Sequence, residues 1–131
     1  MKHKLVIYLD FPPTVNSYYL KGRILSKKGR QYSGKVLEDC VEQGAILGLD
    51  TKLNVSVILY PPDRRTRDLD NYMKALQDSL TKAGVWEDDK LIDQLSLYRG
   101  VVIPRAGKVV VVIQDAGPVL PNNSLALSLV S

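Results

Sequence analysis

Residues 61–93 read PPDRRTRDLDNYMKALQDSLTKAGVWEDDKLID, and the rest of the chain can be understood from this segment. Two prolines open it, and three arginines then lead into Asp68 and Asp70. A helical pattern follows, and a second acidic cluster occupies residues 87–89. Basic side chains suited to a polyanion therefore stand beside carboxylates suited to a cation.

The middle of the segment has the periodicity of an amphipathic helix. Its apolar residues recur at intervals of three and four, at Leu69, Met73, Leu76, Leu80 and Ala83. Such a stripe indicates one face packed against a core. The helix is predicted to start near residues 68–70 and to end at Gly84, with Lys82 in its last turn.

Strands are predicted on both sides of this helix. Runs rich in β-branched and aromatic residues cover residues 4–9, 54–60, 91–103 and 109–113. Lys21-Gly22 indicates a hairpin between residues 18–20 and 23–25. The short join at 104–108 predicts that the last two strands form an antiparallel hairpin.

A second helix is predicted after a basic loop at residues 26–35. Its apolar stripe comprises Val36, Leu37, Cys40, Val41, Ala45 and Leu47. Ser33 is the predicted N-cap and Gly48 the predicted end.

The order of these elements predicts an α+β fold, with a small mixed or antiparallel sheet covered by two main helices. At 131 residues the chain is long enough for one hydrophobic core, so we expect a single domain over residues 1–117. Two prolines and weak periodicity mark residues 118–131 as a tail, either disordered or packed on a partner.

The composition narrows the class of protein. A hydrophobic fraction of 45% and a charged fraction of 24% are ordinary for a globular protein. No apolar run has the length of a membrane span, and no signal-peptide pattern opens the chain.

Cys40 is the only cysteine, which rules out an intrachain disulfide and favours the reducing cytoplasm. Because the lone His3 makes a poor base partner, Cys40 is interpreted as a structural thiol rather than a nucleophile.

The charges are unevenly distributed although the net charge is only +4. Residues 21–35 contain six of the 18 basic residues and no acid, whereas residues 68–93 contain seven of the 14 acids. The six basic residues are Lys21, Arg23, Lys27, Lys28, Arg30 and Lys35. This strip is either an ordinary solvated surface or one that faces phosphates, and the absence of acids favours phosphates.

Asp68 and Asp70 suggest a metal site. If the backbone there is extended, residues i and i+2 project to one side, and two close carboxylates need a proton or a cation between them. Oxygen ligands favour Mg²⁺ or Mn²⁺, and the lack of a Cys/His set disfavours zinc. The alternative is that one aspartate simply caps the helix.

The second acidic cluster strengthens the metal hypothesis on one condition. A helix of about 14 residues is roughly 21 Å long, so its two ends cannot share an ion directly. Residues 85–92 would have to return alongside the helix. Alternatively, two symmetric chains would bring the clusters together.

The remaining polar residues of the segment suit a nucleic acid. Arg64, Arg65 and Arg67 can hold backbone phosphates. Lys74 lies four residues after Asp70, where it either forms a surface ion pair or stabilises the charge on a reacting phosphate. Asn71 either orients a ligand or bonds locally at the helix start.

These residues resemble a known family. The motifs DRRTRDLDN, the lysine at 74, LTKAGVWEDD and the early PPTVNSYY are similar to the RusA family of Holliday junction resolvases of bacteria and their phages. The resemblance covers roughly residues 5–115. It implies that Asp68, Asp70 and Asp89 are the essential acids, that Lys74 is the family lysine, and that Asp88 is a neighbouring acid that could join them. Thr66 interrupts an arginine run that is often continuous in the family.

The resemblance also implies an activity. A homodimer would bind four-way DNA junctions and nick two opposed strands symmetrically, with Mg²⁺ or Mn²⁺ held by the three acids activating a water. Two alternatives stay open: a branched-DNA-binding protein without catalysis, and a nuclease with broader specificity for branched or flapped DNA.

Overall fold

The computed structural model describes residues 4–116, so the predicted tail at 118–131 lies outside the described residues. The strands are β1 (Leu5–Leu9), β2 (Tyr19–Lys21), β3 (Ile24–Leu25), β4 (Leu53–Tyr60), β5 (Ile92–Arg99) and β6 (Lys108–Asp115). The helices are α1 (Val15–Tyr18), α2 (Lys27–Glu42) and α3 (Asp70–Ala83), and a 3₁₀ turn spans Asp89–Leu91. The predicted α+β class is confirmed. Between residues 4 and 116, no helix has the length and apolar character needed to cross a bilayer.

The main sheet is mixed and has the strand order β1-β6-β4-β5. Strand β6 runs antiparallel to both β1 and β4, whereas β5 runs parallel to β4. Alternate residues of β4, such as Val55 and Val57, are buried, and those between them are partly covered. This alternation is typical of a sheet with one face against the core and one face open to water.

Helices α2 and α3 cover the buried face of the sheet. The core joins Val36 and Cys40 of α2 to Leu76 and Leu80 of α3 and to Trp86 after α3. Burial raises the pKa of the Cys40 thiol to about 11, as expected for a structural cysteine.

The predicted antiparallel hairpin between the last two strands is wrong. Strand β5 pairs with β4 in parallel, through the crossover helix α3, and β6 pairs on the other side of β4. The connecting segment crosses the end of β4, where the Gly100 and Ile103 N–H groups donate to the carbonyls of Leu59 and Pro61. A β-α-β unit is the usual source of such a parallel pair.

The predicted start and end of the second helix are also wrong. Helix α2 begins at Lys27, so most of the predicted basic loop is helical, and Ser26 rather than Ser33 is the N-cap. The Ser26 hydroxyl accepts a hydrogen bond from the Gly29 N–H at 2.9 Å. At the other end Gly44, with φ of 67°, ends the helix before Gly48.

The buried face of α2 also differs from the predicted stripe. The helix buries Gly29, Tyr32, Val36 and Cys40. Leu37, Val41 and Leu47 of the predicted stripe are exposed instead. Because the helix starts about two turns before the expected basic loop ends, Gly29 and Tyr32 extend the buried face toward its N-terminus.

Three other predictions are confirmed. Helix α3 has the predicted bounds to within two residues, and Met73, Leu76, Leu80 and Ala83 are buried. Gly84 is the C-cap with φ of 93°. The hairpin of β2 and β3 turns at Gly22, whose φ of 59° suits glycine.

Candidate active site

The acidic pair stands at the start of α3 with its carboxylates exposed to solvent. Asp70 is the first residue of the helix, and Leu69 occupies the N-cap position without a side-chain hydrogen bond. Asp68 contributes its backbone carbonyl, which accepts from the Asn71 N–H at 3.2 Å. The side chains of Asp68 and Asp70 are both exposed. Neither carboxylate is used as the N-cap that the alternative interpretation required.

The backbone between the two aspartates is helical rather than extended. Leu69 has φ of −58° and ψ of −42°. Residues two positions apart on a helix are rotated by about 200° about its axis. The condition under which Asp68 and Asp70 were expected to project to one side is therefore not met at Leu69.

The chain after α3 does return alongside the helix. The side chains of Val85 and Trp86 are buried, and the Trp86 indole N–H donates to the Thr81 hydroxyl at 2.7 Å. Main-chain bonds tie this turn to Leu49, which donates to the Val85 carbonyl and accepts from the Glu87 N–H. The sequence condition for a shared site, that residues 85–92 fold back, is thus partly satisfied.

Asp89 is carried by this return onto the face of α3 that bears Asp70 and Lys74. The Gln77 Nε2 atom donates to Asp89 Oδ2 at 3.2 Å. Residues 70, 74 and 77 follow one another at four- and three-residue spacing, so they share a helix face. Lys74 is exposed and forms no ion pair with another residue of the described chain.

The return ends short of the first acidic pair. Gln77 lies seven residues after Asp70, about 10 Å along the helix axis. Within residues 4–116, no group of three or more Asp, Glu, His or Cys side chains is gathered closely enough to hold a metal ion. A single chain therefore aligns Asp70 and Asp89 along one face without bringing Asp68, Asp70 and Asp89 to one point.

Asp88 has a local structural role. Its Oδ1 atom accepts from the Lys90 N–H at 2.9 Å and caps the 3₁₀ turn. This backbone N–H lowers the pKa of the Asp88 carboxyl. Glu87 is exposed next to it. Asp88 is therefore already engaged by the backbone, whereas Asp89 presents its carboxylate toward α3.

The three arginines have different environments. Arg67 has only 8% of its side chain exposed, and its Nη1 atom donates to Asp63 Oδ1 at 2.7 Å. Its guanidinium also lies over the Phe11 ring, 5.9 Å from the centroid. Arg64 is exposed, and Arg65 has 80% of its side chain exposed. Two guanidinium groups thus remain accessible to a polyanion while the third holds the loop together.

The ion pair of Asp63 and Arg67 shapes the approach to Asp68. The hydrogen bond from Arg67 lowers the pKa of Asp63 to about 2, and the Arg65 N–H adds to the effect. From β5, Arg99 Nη2 donates to the Arg67 carbonyl at 2.6 Å. Arg67, the residue before Asp68, is consequently held by hydrogen bonds to both its side chain and its backbone.

Two basic residues of α2, Lys28 and Lys35, line an open groove. Lys27, Lys28 and Arg30 lie on the first turn of α2 with their side chains exposed. Lys28 lines a groove of about 420 Å³ together with Lys35 and Phe11. A helix N-terminus with lysines in its first turn is favourable for phosphate.

Phe11 connects this groove with the start of α3. Its ring packs on Tyr72 with the centroids 5.0 Å apart, and the same ring lies under Arg67. The basic strip and the acidic pair therefore share a boundary at this ring. Sequence reasoning did not single out Phe11, Asp63, Gln77 or Arg99. The i, i+4 spacing of Asp63 and Arg67 was the one readable signal among them.

One family model and several known proteins are similar to this chain, and all are described as endodeoxyribonucleases. The family described as "Endodeoxyribonuclease RusA" matches residues 10–114. A protein of Enterobacteria phage HK97, named crossover junction endodeoxyribonuclease rusA, is 36% identical over 73% of this chain and 82% of its own length. Proteins of Escherichia coli strain K12 and Shigella sonnei with the corresponding name are each 37% identical over 85% of this chain and 94% of their own length.

Proposed function

This chain belongs to the RusA family of endodeoxyribonucleases, and from that membership we propose that it cuts four-way DNA junctions by phosphodiester hydrolysis. The reaction proposed is a pair of symmetric nicks that resolves a Holliday junction in recombination and repair. The observation that supports it best is the alignment of Asp70, Lys74 and Asp89 on one face of α3, with Asp89 held there by Gln77. The DNA substrate and the single buried cysteine favour the cytoplasm as the site of action.

The groups of this chain have separate roles in the proposal. Arg64 and Arg65 bind backbone phosphates, since their guanidinium groups are accessible. The ammonium of Lys74, free of ion pairs in the described chain, stabilises the negative charge that develops on the reacting phosphate. Lys27, Lys28 and Arg30 extend the phosphate-binding surface along α2, and Asn71 lies next to Asp70 at its border.

The proposed cofactor is Mg²⁺ or Mn²⁺, which suits carboxylate oxygen ligands. The chemistry of Asp68, Asp70 and Asp89 fits such an ion, with Asp88 as a neighbouring acid. Their placement within one chain does not, because among residues 4–116 no three acidic side chains are gathered closely enough to hold one ion. We therefore propose that the acids come together only in the assembled complex, where a homodimer on a two-fold junction offers each chain a second copy.

Cleavage of synthetic DNA tests the proposal. The purified chain is incubated with a four-way junction and with a linear duplex of matched sequence, each with Mg²⁺, Mn²⁺ or EDTA. Paired nicks on the junction alone, lost in EDTA and in Asp70→Asn, are expected. Asp50→Asn removes an exposed carboxylate in the loop before β4 and is the matched control.

The same assay separates the alternatives. Junction binding without cleavage under every metal would contradict the nuclease proposal and favour a non-catalytic branched-DNA-binding protein. Equal cleavage of flaps, forks and junctions would favour a nuclease of broader specificity. Cleavage that persists in EDTA would contradict the metal dependence.

A further inference from the structure

The two edges of the main sheet are treated differently by this chain. Strand β1 forms one edge, and Gln43 closes it by contacts to the Tyr8 backbone. Gln43 Oε1 accepts from the Tyr8 N–H at 2.8 Å, and its Nε2 donates to the Tyr8 carbonyl at 2.7 Å. A side-chain amide here takes the place of a neighbouring strand. The contact occupies the outward backbone groups of Tyr8 and so hinders pairing of another strand at that residue.

Strand β5 forms the other edge, and within the described part of the chain no side chain covers it in this way. Within residues 4–116, β4 is the only strand that pairs with it. Five of its eight residues are exposed, including Leu95 at 43% and Tyr98 at 54%. No proline or lysine interrupts it. A strand of this length with free backbone groups and exposed apolar side chains is a template for another strand.

The direction of the free backbone groups follows from one hydrogen bond. The Gly100 N–H, immediately after β5, donates to the Leu59 carbonyl of β4 at 2.8 Å. Because alternate residues of a strand direct their backbone groups to the same side, Ser96 also faces β4 and Leu95 and Leu97 face outward. The pairing shifts by one residue between Ile92 and Gln94, which leaves Asp93 as the extra residue of a bulge.

The charges of β5 select one way for this edge to pair with itself. An antiparallel pair with Ser96 on the two-fold axis sets Leu95 opposite the partner's Leu97 and brings Asp93 beside the partner's Arg99. If the two-fold axis passes through Leu95 or Leu97 instead, the residues whose backbone groups face away from β4 still pair with their equivalents in the partner. Either shift sets Arg99 opposite a leucine and leaves Asp93 without a basic partner.

Asp93 and Arg99 remain available for such a contact. Asp93 has 48% of its side chain exposed and touches Lys52 only at 4.0 Å. Arg99 is exposed, and its one hydrogen bond to the described residues is from Nη2 to the Arg67 carbonyl, so that its other guanidinium nitrogens have no partner among residues 4–116.

We propose that the free edge of β5 pairs antiparallel with β5 of a second copy of this chain, with Ser96 on the two-fold axis. This proposal names the interface of the homodimer and so rests on the proposed function. The backbone groups of residues 95 and 97 pair with those of the partner, and the charges at the two ends fix the register. The two four-stranded sheets become one continuous sheet of eight strands.

A cysteine at the axis tests the register directly. Two copies of residue 96 would form a pair without mutual hydrogen bonds, whose Cα atoms are about 4.5 Å apart. That distance is within the range of a disulfide. Ser96→Cys is therefore expected to oxidise to a covalent dimer on a non-reducing gel. Cys40 is fully buried and contributes little background.

Gln94→Cys is the matched control on the same strand and the same face of the sheet. Two copies of residue 94 would be offset by four residues, about 13 Å along the strands. This variant is expected to stay monomeric on the same gel. Cross-linking of both variants to the same extent, or of neither, would overturn the proposed pairing.

Charge reversal provides an independent test in sedimentation equilibrium. Asp93→Arg and Arg99→Asp are each expected to weaken dimerisation about tenfold or more, because each creates two like-charge contacts. The double variant Asp93→Arg/Arg99→Asp restores the contacts and should return to within about threefold of the wild type. Glu38→Arg, an equal charge change on the exposed face of α2, is expected to have no effect. Failure of the double variant to recover would overturn the proposal.

The proposed β5 interface and the proposed nuclease function can fail independently. A chain that cleaves junctions but neither dimerises nor cross-links at Ser96 would overturn this interface and leave the nuclease proposal standing. A chain that cross-links as expected but cleaves no junction would do the reverse. A protein that is monomeric at every concentration would overturn the proposed pairing.

Discussion

Replacing Trp86 by phenylalanine tests the turn that carries Asp89 back along α3. The Trp86 side chain is 1% exposed, and its indole N–H donates to the Thr81 hydroxyl at 2.7 Å. Phenylalanine lacks the N–H and about two carbon-sized groups. At about 0.8 kcal/mol per group the lost burial amounts to roughly 1.5 kcal/mol. The hydrogen bond adds a net contribution of about 1 kcal/mol.

The free energy of unfolding of Trp86→Phe should therefore fall by about 2.5 kcal/mol. Urea titration followed by far-UV circular dichroism measures it. The matched variant Thr81→Val keeps the shape of the side chain but leaves the indole N–H without its acceptor, at a cost of about 1–2 kcal/mol. Since the double variant has no N–H to satisfy, it should lose about 1 kcal/mol less than the sum of the single losses.

A double-mutant cycle measures how strongly the Trp86 and Thr81 side chains depend on each other. A coupling free energy of about 1 kcal/mol between Trp86 and Thr81 supports a turn anchored on α3 by this bond. Additivity within about 0.3 kcal/mol would refute the reasoning, because the bond would then make no net contribution to holding the turn.

Three further predictions concern packing, pH and DNA binding. Gly29→Ala should destabilise the protein by about 1–3 kcal/mol in thermal denaturation, since a Cβ would overlap the Tyr18 carbonyl. Gly34→Ala on the same helix faces open space and should stabilise by up to about 1 kcal/mol. The folded-state pKa of Asp63 is about 2, below the ordinary 3.8. Its stabilisation is therefore present above about pH 4 and lost as the pH falls through 2, and Asp63→Asn should flatten the Tm profile in that window. Arg65→Gln should weaken junction binding for all sequences and reduce the salt slope by about one, as measured by fluorescence anisotropy. An unchanged salt slope would contradict a phosphate contact.

Helix α3 could be predicted because every level of its sequence agrees. The stripe from Met73 to Ala83, the basic last turn and Gly84 all indicate the same helix with the same end. Strand β4 was equally predictable, since β-branched residues alternate along it and Pro61 and Pro62 follow it. In both elements local propensity and the tertiary environment favour the same structure.

The errors arose where tertiary contacts outweigh local signals. A five-residue join at 104–108 is typical of a hairpin, yet β4 separates β5 from β6 because α3 makes a parallel crossover. Helix α2 starts at Lys27 although two glycines weaken its first turns. Burial of Gly29 and Tyr32 against the core compensates for that weakness.

The sequence predicts which residues form the site, and the structure tests only their geometry. Sequence reasoning identified the need for residues 85–92 to return along the helix, and the structure contains that return as far as Gln77. The separation of Asp89 from Asp70 depends on where Trp86 packs, which no local pattern encodes. The spacing of Asp63 and Arg67 indicated an ion pair, but the burial of Arg67 could not be predicted, because it depends on Phe11, which is 56 positions away.

Single-turnover cleavage of a four-way junction tests the central claim most directly. Rates are compared for the wild type, Asp70→Asn, Asp89→Asn and the control Asp50→Asn. The proposal predicts paired nicks by the wild type and the control, and a rate lower by about a thousandfold or more in each of the other two variants, which is roughly 4 kcal/mol of transition-state stabilisation. Wild-type rates in Asp70→Asn and Asp89→Asn would contradict the assignment of these carboxylates to the reaction.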